Sequence, residues 1–218
     1  MLRYVSGAEL RRHGKLFDTM FRDRTAQFRD RLNWAVRVDA GGHERDEYDD
    51  ADPLYVVWEQ PDGSHGGSMR FLPTAAGRTM VNDHFARLIP DGLTAARLGP
   101  GGQIADPRVW ECTRFCLAPD AGPRVSAALM LGGAEVGVRF GLTRAVGVFD
   151  DRMVRIYRLL GWSPEIVARE GDGRDAIGLG FWTFTPAIRD AMALRAGLSR
   201  EISALWFLRA GLADAIAA

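Results

Sequence analysis

"WECTRFCLAP", residues 110–119, is the stretch on which the rest of the chain turns. Trp110, Phe115 and Leu117 read as a strand bound for an interior, yet Glu111 and Arg114 stand among them. Side chains alternate along a strand, so Glu111, Thr113 and Phe115 are expected on one face and Cys112 and Arg114 on the other, unless a bulge intervenes. Burying an unpaired charge costs several kcal/mol, so each charge needs a partner, water or a polar ligand. Arg70 in "GGSMRFLP" is a second cation inside an apolar strand, and Asp46, Asp49 and Asp52 offer anions in the loop before it. These residue types leave two readings open: an ion-pair cluster pinning the loop to the sheet, or a site for a charged ligand.

Working outward, "GAELRRHGKLFDTMF" (7–21) has helical spacing through Leu10, Phe17 and Phe21. "LYVVWEQ" and "GGSMRFLP" flank "PDGSH", whose turn residues predict an antiparallel hairpin. "GRTMVNDHFARL" is read as a short helix and "TAARLGPGGQIADP" as loop, leading into a strand over 108–117. Beyond it come a small-residue helix with Gly pairs (122–142), the strand "TRAVGVFD", and the amphipathic helix "DDRMVRIYRLLGW", ended by Gly161. The strands "PEIVARE" and "IGLGFWTFT" and two helices complete the chain. This order gives one α/β domain with a mixed sheet.

The 218 residues suffice for one full core, and 47% hydrophobic with 26% charged residues is the balance of a soluble globular protein. Lys+Arg and Asp+Glu are equal at 28 each, so no bulk attraction to nucleic acid is expected. "MLRYVSGAELRRHGK" is too polar for a signal peptide and no apolar run approaches a membrane span, so a cytoplasmic protein is expected. Cys112 and Cys116 would face the same way about 13 Å apart, too far for a disulfide. The four His are scattered singly, and no metal site is expected.

The charges and aromatics fall into an ordered set: Arg24, Phe28 and Trp34 in "RTAQFRDRLNW"; Glu44, Asp46, Tyr48 and Asp49 in "ERDEYDD"; Arg70 in "GGSMRFLPT"; Glu111 and Arg114 in "WECTRF". This set, over roughly residues 20–117, resembles the LuxI-type acyl-homoserine lactone synthases. The resemblance implies a GNAT-like α/β sandwich: a mixed, splayed sheet flanked by helices, with an acyl tunnel entering the core. It implies a single domain over 1–218 whose N-terminal segment, about 1–52, closes over S-adenosylmethionine. That molecule is a substrate, and no prosthetic group is implied. Its amine would be acylated from an acyl thioester, and lactonisation would then release methylthioadenosine, leaving a quorum-sensing signal.

The resemblance makes Glu111 the favoured proton acceptor, or equally an anchor for the substrate amine that moves no proton, with Arg114 and Arg70 suited to the substrate carboxylate or to the acidic loop. Phe28 and Trp34 would enclose adenine and the sulfonium, and Asp46 and Asp49 would balance the arginines or meet the cationic end; Arg24 completes this set. For the acyl chain, Met69, Thr113, Phe115, Leu129, Val146, Gly147 and Trp182 are the expected tunnel wall. Some family members that prefer 3-oxo chains carry a threonine where Gly147 falls here, which leans against a dedicated 3-oxo specificity and leaves room for a long, branched or aromatic group. The donor is either acyl-CoA or acyl-carrier protein, the latter docking on Arg152, Arg155 and Arg158. Two alternatives stay open. One is an ordinary GNAT acyl-CoA N-acyltransferase, against which "RAVGVF" and "RLLGWS" lack the final Gly or Ala of its pyrophosphate loop. The other is a degenerate, non-catalytic acyl-binding protein.

Overall fold

In the computed structural model, residues 1–76, 78–173 and 176–212 are described. Strands β1 (Leu2–Ser6), β2 (Leu54–Glu59), β3 (His65–Pro73), β4 (Val109–Leu117), β5 (Arg144–Asp150), β6 (Glu165–Glu170) and β7 (Ile177–Thr183) form one seven-stranded sheet, ordered β1-β2-β3-β4-β5-β7-β6. The β2–β3 hairpin forms as its turn residues predict. The opening strand β1, which its short polar flanks conceal in the sequence, adds antiparallel to β2. Every neighbouring pair is antiparallel except β4 and β5, which run parallel and are registered only over Val109–Glu111 and Arg144–Val146. Beyond that contact the two strands are unpaired, so the sheet splays open at its middle.

The helices are α1 (Gly7–Leu10), α2 (Gly14–Arg24), α3 (Met80–His84), α4 (Val125–Arg139), α5 (Asp151–Leu160), α6 (Pro186–Ala196) and α7 (Arg200–Arg209). The single helix expected over 7–21 is two, because Ser6 caps a short first helix through the Glu9 N–H and the chain turns at Arg11–His13. α2 runs on as a π-helical segment, Thr25–Arg31, a wider coil often found at functional sites.

One face of the sheet packs Leu2, Val56, Met69 and Phe71 against α4 and its neighbours α6 and α7. Gly137 of α4 lies so close to Phe184 that a Cβ would overlap its ring, so the glycine lets the helix settle onto the sheet. The opposite face carries two smaller clusters. Val5, Phe21, Tyr55 and Val57 pack beneath α2, and Val81, Val109, Val146 and Leu179 pack further along.

β4 departs from regular alternation. Ser68 pairs with Cys116 but Arg70 pairs with Thr113, so β4 holds one extra residue, and Arg114 takes a left-handed conformation at φ 53°. The bulge sends Arg114 to the side that Glu111 and Thr113 share, and the expectation of opposite faces fails for that reason. It also separates the cysteines, both free. Cys112 is paired with Phe71, whereas Cys116 is paired with Ser68, so the two thiols face opposite sides.

Candidate active site

The acidic loop folds down onto the bulge. Arg24, at the end of α2, donates to Glu44 at 2.6 Å and grips both oxygens of Asp49 at 2.9 Å each. Arg70 donates to Asp49 at 2.7 Å, to both oxygens of Asp46, and to the Thr113 hydroxyl at 3.1 Å. Arg114 donates to Glu44 at 3.0 Å and to Asp46 at 2.9 Å. Three arginines thus meet three carboxylates, and Tyr55 adds a 2.5 Å hydrogen bond to Asp49. Arg24, Arg70, Glu44 and Asp49 are buried, so each charge is compensated where water is excluded. The facing guanidinium groups of Arg24 and Arg70 hold the Asp49 carboxyl far below the ordinary aspartate range.

This arrangement revises the expected roles. Asp52 is not in the cluster; it accepts from the Ala8 N–H at 2.6 Å, and Glu44 takes the place it was expected to fill. Arg70 and Arg24 are spent on the acidic loop, as the ion-pair reading required, and neither they nor Asp46 and Asp49 line the cavity described below. Arg114 does line it, with its guanidinium 5.3 Å from the centre of the Phe28 ring.

Glu111 stands apart from Arg114. Its two oxygens accept from the backbone N–H groups of Met80 (3.0 Å) and Val81 (2.6 Å), so it holds the start of α3. Burial pushes its carboxyl up to about 7, against the pull of those two N–H groups and of Arg70. It is not part of the cavity wall, although Thr113 and Met80, whose N–H it accepts, both are.

The cavity has a volume of about 650 Å³. At one end Phe28 and Trp34 stack with ring centres 5.1 Å apart and planes 15° apart. Phe28 is buried, whereas Trp34 is 38% exposed and forms the outer lip. Gln27 holds this end to β4: its amide donates to the Phe115 carbonyl and its oxygen accepts the Leu117 N–H, two backbone groups next to the bulge. From there the wall passes Thr113, Arg114 and Phe115, crosses to Met69, Phe71 and Cys112 on the α4 side, and ends among Phe149, Tyr157, Trp162, Trp182 and Phe184. Residues from both faces line one space because it runs through the gap between β4 and β5.

Of the expected acyl wall, Met69, Thr113, Phe115, Gly147 and Trp182 line the cavity. Val146 does not: its side chain alternates to the other face and packs with Val81, Val109 and Leu179. Leu129, on α4 itself, is buried in the core and is likewise absent from the wall. Gly147 leaves no extra room, since a Cβ there would stand 2.8 Å from the Cys112 carbonyl oxygen and 3.4 Å from the Trp182 ring. Its role is to let β5 approach β4 closely. Arg152 reaches the cavity rim and pairs with Asp150 at 3.2 Å, while Arg155 and Arg158 are exposed along α5.

Several lining residues escaped the sequence reading. Glu44, which belongs to the charge cluster and not to the cavity wall, stands in the ordered set of charges but was given no site role there. Gln27, Tyr157, Trp162 and Phe184 become neighbours only through the folding of distant segments. No group of three His, Cys, Asp or Glu able to hold a metal occurs among the described residues.

Comparison with known proteins agrees with this architecture. The model of the autoinducer synthase family matches residues 7–177. An acyl-homoserine-lactone synthase of Rhizobium etli is 39% identical over 206 residues, covering 92% of this chain and 91% of that protein. One from Agrobacterium fabrum strain C58 is 32% identical over 166 residues, 72% of this chain and 74% of that protein. Among solved structures, the CoA-dependent acyl-homoserine lactone synthase BjaI, with SAM and isopentyl-CoA, shares the fold at a TM-score of 0.74 and 19% identity, covering 95% of this chain and 99% of that one. A putative N-acetyltransferase from Lactobacillus plantarum shares it more loosely, with a TM-score of 0.52 at 14% identity over 84% of this chain and 99% of that one. With the family's pattern running through most of its length, and the splayed sheet and charge cluster in place, the chain belongs to the autoinducer synthase family.

Proposed function

We propose that this chain is an acyl-homoserine lactone synthase that acylates S-adenosylmethionine from an acyl thioester and then closes the lactone. The observation that carries the reading is the cavity itself. It joins an aromatic pair beside a charge cluster to an apolar pocket, through the gap between β4 and β5. A cationic, zwitterionic substrate and a fatty chain need those two environments to meet at one point.

In this reading Trp34 and Phe28 hold the adenine and sulfonium, since aromatic faces attract a desolvated cation. Arg114 meets the substrate carboxylate at the cavity wall. Arg24, Arg70, Asp46 and Asp49 act through it, fixing the acidic loop and the bulge from which Arg114 projects. Glu111 accepts the ammonium proton through a water beside Thr113, and its raised pKa makes it a competent base near neutral pH. The free amine attacks the thioester carbonyl; the C–N bond forms, the C–S bond breaks and the thiol leaves. The substrate carboxylate then attacks the carbon bearing the sulfonium, a C–O bond forms, and methylthioadenosine departs with the electron pair of the broken C–S bond. Met69, Phe115 and Trp182 enclose the acyl chain, and the donor is acyl-CoA or acyl-carrier protein, the latter docking on Arg152, Arg155 and Arg158.

The test is mass spectrometry of the purified protein with S-adenosylmethionine and a panel of acyl-CoA and acyl-carrier-protein donors. Acyl-homoserine lactone and methylthioadenosine are expected together. A folded protein that forms neither with any donor overturns the reading.

A further inference from the structure

Helix α3 touches both Glu111 and Arg114, yet the proposed chemistry gives none of its residues a part. The Met80 N–H donates to Glu111 at 3.0 Å and the Val81 N–H at 2.6 Å. The Met80 thioether sulfur stands 3.9 Å from a guanidinium nitrogen of Arg114, and Met80 lines the cavity. The place of α3 therefore decides how many N–H groups the Glu111 carboxylate keeps and where it points. Five residues are too few to hold a helix by themselves, since isolated helices need about 12–15. Outside contacts must fix it. Val81 packs with Val109, Val146 and Leu179, and the Asn82 amide exchanges two 2.9 Å hydrogen bonds with the Ile104 backbone.

A third contact reaches the acidic loop. Tyr48 is buried between Asp46 and Asp49, with its ring 5.5 Å from the Arg70 guanidinium, and its hydroxyl donates to an Asp83 oxygen at 2.9 Å. A phenol donating to a carboxylate makes a charge-assisted bond, about twice as strong as a neutral one. Two neighbouring contacts are weaker. Glu47 approaches His84 at 3.4 Å and Arg78 approaches Asp83 at 3.8 Å, but Glu47, His84 and Arg78 are all more than half exposed. Around Glu111 itself, the two α3 N–H groups and Arg70 on β3 favour the ionised carboxylate, whereas burial and Asp46 on the acidic loop oppose it. Taking the N–H groups away would move its ionisation to higher pH.

We propose that Tyr48 and Asp83 are positioning residues for the reaction, whose hydrogen bond anchors α3 to the acidic loop and thereby fixes the Glu111 carboxylate relative to Arg114. The proposal rests on the reading of Glu111 as the acceptor of the ammonium proton. It separates two duties of the acidic loop. Through Asp46 and Glu44 the loop holds Arg114, and through Tyr48 it holds the helix that holds Glu111. Loss of the Tyr48 hydroxyl leaves Arg24 and Arg70 gripping the loop, so the first duty survives and the second fails.

The experiment uses the full chain, S-adenosylmethionine and whichever donor, acyl-CoA or acyl-carrier protein, gives lactone with the parent. Thiol release is followed across pH at saturating substrate. Tyr48→Phe, which keeps the ring and removes the donor, should lower kcat about tenfold and leave KM for S-adenosylmethionine within about threefold. Its rise of turnover with pH should lie about half a unit or more above the parent's, a shift that a merely less stable protein would not show. Asp83→Ala should reproduce both effects, and it carries the test if Tyr48→Phe does not fold. The double variant should be no worse than either, because one bond is lost in all three. Asp83→Asn keeps an acceptor for the hydroxyl and should restore most of the rate. Parent kcat and pH profile in folded Tyr48→Phe or Asp83→Ala overturn the proposal while leaving lactone synthesis standing, as do losses that multiply in the double variant. A parent that makes lactone with no rise of turnover near pH 7 overturns the base role of Glu111 and this proposal with it. No lactone from any donor, with a folded circular dichroism spectrum, overturns the synthase reading as well.

Discussion

Two regions meet along β4 and solve burial in opposite ways. Beneath α2, three arginines are matched to three carboxylates, and the protein itself supplies every counter-charge. Toward α4, the cavity end is aromatic, and two of its indoles have no hydrogen-bond partner among the described residues. The first region is a closed set of charges; the second is a ring-lined space. Rigidity is thus built into the charge cluster, while the aromatic end encloses open space.

The largest effect is expected from breaking the complete region. Asp49→Ala leaves Arg24 and Arg70 facing each other with a carboxylate gone, and such a loss costs about 3–5 kcal/mol. Urea unfolding should show it as a lower midpoint at unchanged slope, and an unchanged midpoint would mean that the cluster contributes little. The pH dependence has a definite sign. Asp49 is held below its ordinary pKa, so its stabilisation is present above the unfolded aspartate pKa of about 3.9 and is lost as pH falls toward the depressed folded value. Glu111 has the reverse sign. Its carboxyl is raised from 4.5 to about 7, so its contribution is present below 4.5 and is lost as pH rises through 7.

Catalysis at the boundary comes next. If Glu111 takes the ammonium proton, turnover should rise with pH through about 7, where the carboxyl ionises. Glu111→Gln should lower kcat by roughly 100-fold or more and remove that limb of the profile. The amide also changes what faces the Met80 and Val81 N–H groups, so the pH profile and not the rate alone separates a base from a residue that merely holds α3 in place. A variant with the same pH profile as the parent would exclude the base role.

At the outer lip the expected loss is smaller. Trp34 is stacked on Phe28 but more than a third exposed, so Trp34→Ala should barely move the unfolding midpoint. Binding of S-adenosylmethionine should weaken by about tenfold, as calorimetry would report, because one face of the cation's enclosure is gone. Unchanged affinity would place the adenosyl group elsewhere.

How much of this was legible in the sequence follows from the range of each interaction. The hairpin, the amphipathic α5 and the strand at 109–117 rest on local periodicity and turn chemistry, and they form where those signals lie. The charge cluster was foreshadowed because unpaired buried charges demand partners, and the loop offered Asp46 and Asp49. Its membership was not: Glu44 and Asp52 are chemically equivalent candidates, and only the path of the loop chooses between them. The bulge at Arg114 was invisible because "ECTRFC" is compatible with regular alternation, and the positive φ falls where β4 carries its extra residue. The same bulge undid the shared face of Cys112 and Cys116. Val146 shows the opposite failure, for it is apolar and beside Gly147, yet period-two alternation turns it away from the cavity. Apart from Trp182, the aromatic end was hidden because Tyr157, Trp162 and Phe184 are brought to it only by the folding of distant segments.

The smallest effect tests whether the basic side of α5 belongs to the site at all. Arg152 stands at the cavity rim and is already paired with Asp150, whereas Arg155 and Arg158 lie exposed further along the helix. An acidic carrier protein presenting its acyl chain at that rim would meet Arg155 and Arg158; a free CoA thioester has no comparable protein surface to offer them. Exposed ion pairs are worth up to about 1 kcal/mol each. Arg155→Glu and Arg158→Glu together should therefore raise KM for an acyl-carrier-protein donor by roughly tenfold while leaving kcat near the parent value. The defect should shrink as salt is added, since charges at this exposure are screened. The acyl-CoA reaction of the same variant supplies the contrast. If it is unaffected, the helix is a docking face for the carrier. If both donors suffer alike, these charges act on the rim of the cavity itself, and the boundary between the two regions extends onto α5.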